Sequence, residues 1–175
     1  VQASGGSATL TVNGRNDATN AAGTLDNLSG NIDTPYELTG LSPWFIEYGA
    51  GVSALNIQSG TSGGSGVTFA INNTQAGTTT TLTGGLLQNF FNLANAPETA
   101  GLDNLAGAVV IHGGTSATDA VTLEDSSEIA NDNYTITSTT VSRANFGGLT
   151  YGGLGALTLN AENIFGVAGN NTIDI

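Results

Sequence analysis

The chain has a single histidine, His112, followed closely by Ser116 and Asp119, which are the three side-chain types of a serine-nucleophile triad. Such a serine needs a sharp strand-to-helix turn to expose it, and no Gly-x-Ser-x-Gly segment surrounds Ser116. His112 is therefore expected to be an outward strand residue ahead of the Gly113-Gly114 corner. One histidine and no cysteine also leave zinc without a ligand set. The densest acidic stretch holds Asp119, Glu124, Asp125, Glu128 and Asp132. These could cage a metal only if they converged, whereas strand alternation sends Glu124 and Asp125 to opposite faces, so a solvated loop is expected. Cleavage of a polysaccharide would need two carboxylates flanking the bond, or a base with calcium and a cationic helper. The two cations, Arg15 and Arg143, stand in different sequence contexts. No residue set here predicts an enzyme, and a polysaccharide-active β-helix remains only as an alternative.

Several Gly-Gly corners resemble the calcium-binding nonapeptide of repeat-in-toxin proteins, in which Asp carboxylates and backbone carbonyls hold a hard cation. None is complete. Gly84-Gly85-Leu86-Leu87-Gln88-Asn89 lacks the third glycine and the Asp, Gly152-Gly153-Leu154-Gly155-Ala156-Leu157 lacks the Asp, and Gly113 to Asp119 carries an extra residue. Gly63-Gly64-Ser65-Gly66 runs into Val67-Thr68. No cofactor is expected, calcium at Asp119 and Asp125 being the one metal the acids would offer. Tyr36, Trp44, Phe45 and Tyr48 crowd together and could stack on a sugar, although such a cluster more often forms a core plug or a subunit contact. Four Asn-x-Ser/Thr triplets, at Asn27, Asn72, Asn133 and Asn170, are what a chain rich in Asn and Thr produces by chance.

The elements that must position these residues are short and polar-edged. The 175 residues are 39% hydrophobic, enough for a core, and include 26 glycines, no Cys and no Met. Without Met, a chain beginning at Val1 is expected to be a processed product or a segment of something longer. A formal charge of −12, with two cations against 14 carboxylates, disfavours nucleic acid and anionic membranes, because phosphate binding depends on Lys and Arg. No apolar run is long enough to span a bilayer, so no membrane insertion is expected. The low-charge surface, rich in Thr, Asn and Gly, predicts an extracellular or cell-surface protein.

Apolar runs such as Thr9 to Val12, Ala54 to Ile57, Val67 to Ile71, Thr79 to Leu82, Val121 to Leu123 and Leu157 to Leu159 alternate with Thr or Asn at a period of two. Glycine-bearing turns separate them. Leu86 to Ala94 fits a short helix or a buried strand, and is assigned here to a strand. One passage occurs twice: Tyr48 to Ile57 reads YGAGVSALNI and Tyr151 to Leu159 reads YGGLGALTL, each preceded by a Tyr-x-hydrophobic segment at Tyr36 and at Tyr134. Repetition at a long period predicts a solenoid. The expected fold is all-β, a parallel β-solenoid of about 100-residue repeats, with an antiparallel β-sandwich as the alternative. At roughly 20 to 30 residues per coil, it would supply about six to eight coils along roughly 30 to 40 Å. A single elongated domain over 1–175 is expected, with 1–7 an arm or linker, 8–108 a diverged first repeat and 109–175 a partial second.

Val109 to Leu123, Tyr134 to Arg143, Leu149 to Asn160 and Ala76 to Gly85 together resemble the tandem β-strand repeats of very large bacterial surface and secreted proteins. The similarity covers 109–175 well and 36–108 in a more diverged form. Trp44, Pro35, Pro43 and the insertion between Asn13 and Pro35 depart from it. The resemblance implies a non-enzymatic extracellular role as surface fibre, adhesin stalk or filament subunit, and it transfers no active site. The expected partner is a further copy, joined end to end by strand addition, with a glycan as the alternative ligand. The residues expected to carry these contacts are Tyr36, Trp44, Phe45, Tyr48 and the final strand Thr172, Ile173, Asp174 and Ile175.

Overall fold

In the computed structural model the described residues are 1, 6–14, 22–28, 30–60, 66–95, 101–127, 131–161 and 171–175. Most of the expected arm, together with Arg15, Gly63, Gly64, Glu128, Gly169 and Asn170, lies outside them. The described residues contain no α-helix; one short 3₁₀ turn spans Gly101–Asn104. The strands, in chain order, are β1 (Ala8–Asn13), β2 (Gly23–Asn27), β3 (Tyr36–Thr39), β4 (Ile46–Tyr48), β5 (Val52–Gln58), β6 (Thr68–Ile71), β7 (Thr79–Thr83), β8 (Phe90–Leu93), β9 (Val109–His112), β10 (Ala120–Glu124), β11 (Asn133–Ile136), β12 (Thr140–Ser142), β13 (Leu149–Gly152), β14 (Ala156–Asn160) and β15 (Thr172–Asp174). Leu86 to Ala94 thus divides: 86–89 form a corner and only Phe90 to Leu93 are strand.

The strands form two mixed sheets, ordered β1-β5-β7-β9-β13-β12-β11-β15 and β14-β10-β8-β6-β2-β3-β4. From β5 to β10 the chain alternates between the sheets, one strand in each, and every pairing within that stretch is parallel. Parallel neighbours need a crossover, and here the crossover is a strand of the other sheet. Two antiparallel meanders interrupt this path, β2-β3-β4 in the second sheet and β11-β12-β13 in the first. In both, the last strand runs in the same sense as the first.

Period-two alternation turns one face of each strand inward, and the registers stack those faces into ladders. In the first sheet Leu10 lies beside Leu55, Leu55 beside Thr80, Thr80 beside Val109, and Val109 beside Leu149. The second sheet sets Leu25, Ile71, Leu93, Leu123 and Leu159 in one column, and Phe69, Phe91, Val121 and Leu157 in another. Phe69 and Phe91 stack with ring centroids 5.8 Å apart. Most of these side chains are fully buried, each contributing roughly 1.5–3 kcal/mol. Only the outermost rungs differ: Leu10 and Val12 on β1, and Leu157 and Leu159 on β14, are half-buried, and among the described strands each has a neighbour on one side only.

The corners are held by carboxylates and amides aligned between neighbouring strands. Asn89 and Asp119 precede adjacent strands in register, and Asp119 Oδ1 accepts from the Asn89 backbone N–H at 2.6 Å and its Nδ2 at 3.1 Å. Its Oδ2 accepts from Gly114 N–H at 2.6 Å. At the other end of the same sheet's strands, Asp26 of β2 accepts from Asn72 and Asn73, which follow β6, at 3.0 Å each. Gly114 has no room for a side chain, since a Cβ there would lie 1.6 Å from the Gly85 carbonyl oxygen.

Candidate functional site

The doubled passage builds the same local feature in two settings. Tyr48 ends β4 and the Gly49-Ala50-Gly51 turn carries the chain from the second sheet into β5 of the first. Tyr151 lies in β13, and Gly153-Leu154-Gly155 carries the chain the opposite way, from the first sheet into β14 of the second. Tyr48 is fully buried, whereas Tyr151 is half-buried and donates its hydroxyl to Thr137 O at 2.6 Å.

The aromatic cluster separates into an inner and an outer pair. Tyr36 and Tyr48 are register partners on β3 and β4, and their rings stack at 5.4 Å. Burial holds the Tyr48 hydroxyl well above the usual tyrosine range, the neighbouring Tyr36 adding to the shift. The same burial raises Tyr36 less. The Tyr48 hydroxyl lies near Thr80, but neither oxygen makes a hydrogen bond of good geometry. Trp44 and Phe45 instead sit on the loop leading into β4, 78% and 56% exposed. Tyr48 therefore serves the core, and only Trp44 and Phe45 offer an apolar surface. Strand alternation could not separate them, since the hairpin loop ends at Phe45.

Asp119 and Asp125 are fully buried, which corrects the expected solvated loop at these two positions. They flank β10 at opposite ends, on the order of 20 Å apart, so one cation cannot use both. Asp125 accepts from Leu102 N–H at 2.8 Å and from the Tyr134 hydroxyl at 2.6 Å. Arg143 Nη2 donates to Asp125 Oδ1 at 3.0 Å, while Nε lies 2.8 Å from Oδ2 but off the N–H direction, an ion pair without a hydrogen bond. The Arg143 Nη1 contacts Asp103 at 2.5 Å and Asp132 at 3.5 Å. Burial opposes the guanidinium charge, and the hydrogen bonds and charges of Asp125 and then Asp103 outweigh it, raising its pKa. Desolvation, with Asp125 beside it, also drives Tyr134 far above the ordinary tyrosine value. This cluster ties residues 101–104 and the start of β11 to the end of β10. No sequence period pointed to it, because its partners come from separate segments of the chain.

His112 ends β9 with an exposed side chain. The Ser116 hydroxyl pairs with that of Thr118 at 2.8 Å, and Asp119 is committed to Asn89 and Gly114, so the three triad-type side chains do not form a relay. Among the described residues no group of His and acidic side chains is placed to hold a metal, and no helix is long and apolar enough to cross a membrane.

The ends of the two sheets remain. One end presents β1 and β4, the other β14 and β15, and among the described strands each pairs on one side only. All four run in the sense of the parallel strands of their own sheet. Val1 lies against the outer edge of β4, its amino group donating to Glu47 O and its carbonyl accepting from Gly49 N–H at 3.2 Å. That is the bonding pattern of a parallel neighbour. Thr172, Ile173 and Asp174 of β15 are all exposed, and Ile175 is 95% exposed. Large exposed apolar side chains gather at these ends: Val1, Ile32, Trp44 and Phe45 at or near the β4 end, Ile173 and Ile175 at the β15 end, with Leu86, Leu87 and Phe90 between. No family model, no curated protein and no solved structure matches this chain.

Proposed function

We propose that this chain is a β-solenoid module of an extracellular bacterial filament or surface fibre, with a structural rather than an enzymatic role, and that it associates end to end by strand addition. The solenoid reading rests on the alternation of strands between two sheets with parallel register from β5 to β10. The single observation that carries the functional reading is the character of the terminal strands. β1, β4, β14 and β15 contain no Lys, Arg or Pro, the residues that commonly blunt an edge, and their only charges are Glu47 and Asp174. β4 already bonds Val1 along its outer edge, whereas β15, paired on one side only among the described strands and flanked by exposed Ile173 and Ile175, is the kind of edge that recruits another strand. Negative-stain electron microscopy and light scattering over a concentration series test this. Concentration-dependent filaments are the expected result, and a chain that stays monomeric at every concentration overturns it.

A second reading, an adhesin surface that stacks on glycan rings, is favoured by the adjacent exposure of Trp44 and Phe45. It predicts glycan-array binding that Trp44→Ala abolishes. Binding that survives the substitution removes this reading and leaves the first untouched.

A further inference from the structure

We propose that successive copies meet in a stepped joint without rotation: β15 of one pairs in parallel with β1 of the next, whose β3 and β4 fill the space beyond β14. The inference rests on the end-to-end reading and specifies which strands meet. The two ends of the stack project on opposite sheets. β13 leads directly into β14, yet past β13 the first sheet continues with β12, β11 and β15, whereas among the described strands the second sheet stops at β14. At the other end the first sheet stops at β1, and past β2 the second sheet continues with β3 and β4, with Val1 along the outer edge of β4. Setting β1 of the next copy beside β15 therefore leaves three strand positions in the second sheet between β14 and the next β2, since strands are evenly spaced in both sheets. β3 and β4 take two of them, and Val1 stands in the third, facing β14.

Strand direction and backbone facing agree with this placement. β15 runs with β13 and β1, and β4 runs with β14, so both sheets stay parallel across the joint. Thr172 N–H bonds back to Asp132 O, which turns the backbone groups of Ile173 toward the open edge of β15. On β1, Gly14 N–H bonds Gln58 O, and by alternation the groups of Thr9 and Thr11 face the open edge. The core columns fix the register. The column from Leu10 through Leu55, Thr80, Val109 and Leu149 passes on to Val141 and Ile136, and the next step of the β11–β15 register reaches Ile175. Continuing it sets Ile175 beside Leu10 of the next copy, Asp174 beside Thr9 and Thr172 beside Ser7.

The step also covers what each copy leaves open. On β11 and β15 the inward Ile136 is half-buried and Ile173 is 49% exposed, and on β3 and β4 the inward Tyr36 and Ile46 are half-buried. In the joint these two faces lie across the interior from each other. Like charges are kept apart, because Glu47 and Asp174, the only charges on the four terminal strands, belong to different sheets. The two surfaces differ, so the contact is heterologous and propagates into a filament. Each copy then occupies the eight positions of its first sheet, an axial repeat of about 38 Å at the usual strand spacing.

The chain has no cysteine, which makes directed cross-linking clean. Ser7, Thr9, Thr172 and Asp174 are all exposed. In the double variants Thr9→Cys with Asp174→Cys and Ser7→Cys with Thr172→Cys, mild oxidation is expected to yield a reducible ladder of dimers, trimers and longer species, with no single variant forming species beyond a dimer. Circular dichroism and electron microscopy are run on every variant, wild type included. Wild-type filaments with a repeat of about 38 Å and a ladder in either double variant support the proposal. Filaments with no ladder in either folded variant, or with a repeat twice as long, which means copies joined in alternating orientation, overturn this joint and leave the end-to-end reading standing. Absence of wild-type filaments overturns both.

Discussion

Replacing Arg143 by Met would strand Asp125 in the interior, and the structure sets the size of the effect. Asp125 is fully buried, Asp132 nearly so, and Asp103 is 30% exposed, so most of the unbalanced charge falls on Asp125. Removing one partner of a buried ion pair costs about 3–5 kcal/mol. Leu102 N–H and the Tyr134 hydroxyl still reach Asp125, which places the cost at the lower end, about 3 kcal/mol by the same comparison. For a chain of this length that is a fall in Tm of roughly 6–12 °C. Asp125→Asn should cost less, about 1–2 kcal/mol, because Arg143 keeps Asp103 and Asp132 and the amide oxygen still accepts from Leu102. Combining Arg143→Met with Asp125→Leu should cost less than the two single changes added together, since neither buried charge is then left alone. Thermal and urea unfolding followed by circular dichroism measures these variants together with Asp125→Leu alone. Strict additivity, or an Arg143→Met protein within ~0.5 kcal/mol of wild type, a range ordinary for surface substitutions, would refute the reading of this cluster as a buried, charge-balanced staple.

Tyr48 and Tyr134 are held above the ordinary tyrosine value of 10.0, chiefly by burial. A raised folded-state value for an acid means stability that is complete below pH 10 and drains as the unfolded chain ionises above it. Ultraviolet titration should show these two tyrosines ionising only in a cooperative step that coincides with loss of the β-sheet signal, and independent ionisation in the intact fold would contradict their burial. Gly114→Ala should destabilise severely, because its Cβ would meet the Gly85 carbonyl, whereas Gly152→Ala meets nothing within 4 Å and should leave the melting temperature unchanged or slightly raised. Equal effects of the two would mean that the corner stacking is misassigned. Trp44→Ala should change the stability of the isolated chain by no more than ~0.5 kcal/mol, and the emission of this sole tryptophan should shift to the blue on assembly if the β4 end is occupied.

What the sequence disclosed was whatever repeats every second residue. β5, β7, β10 and β14 all follow the alternation of Leu, Ile or Val with Thr, Asn or Ala, and they lie where that pattern places them. Corners were legible from their glycines but not from their acids. Asp119 and Asp125 look solvated because their own neighbours are polar, yet besides Gly114 and Tyr134 nearby they bond Asn89, Leu102 and Arg143, each at least 18 residues away in sequence. Leu86 to Ala94 misled for a related reason. Leu86 and Leu87 are apolar like the strand that follows, but they turn outward at a corner, and composition alone cannot separate the two conditions. The paired Tyr-Gly passages announced a shared local turn without disclosing that the sheets on either side are exchanged.

The two meanders impose a parity on how such a chain can grow. Each places three strands in one sheet where the stretch from β5 to β10 places one, adding β3 with β4 in one sheet and β12 with β13 following β11 in the other. One extra strand would leave the chain running backwards, and the next strand of the other sheet would then lose its parallel pairing. Two restore the heading. Lengthening within a sheet is therefore tolerated in even steps, and such a chain can gain surface in hairpin-sized increments while its parallel pairings are kept.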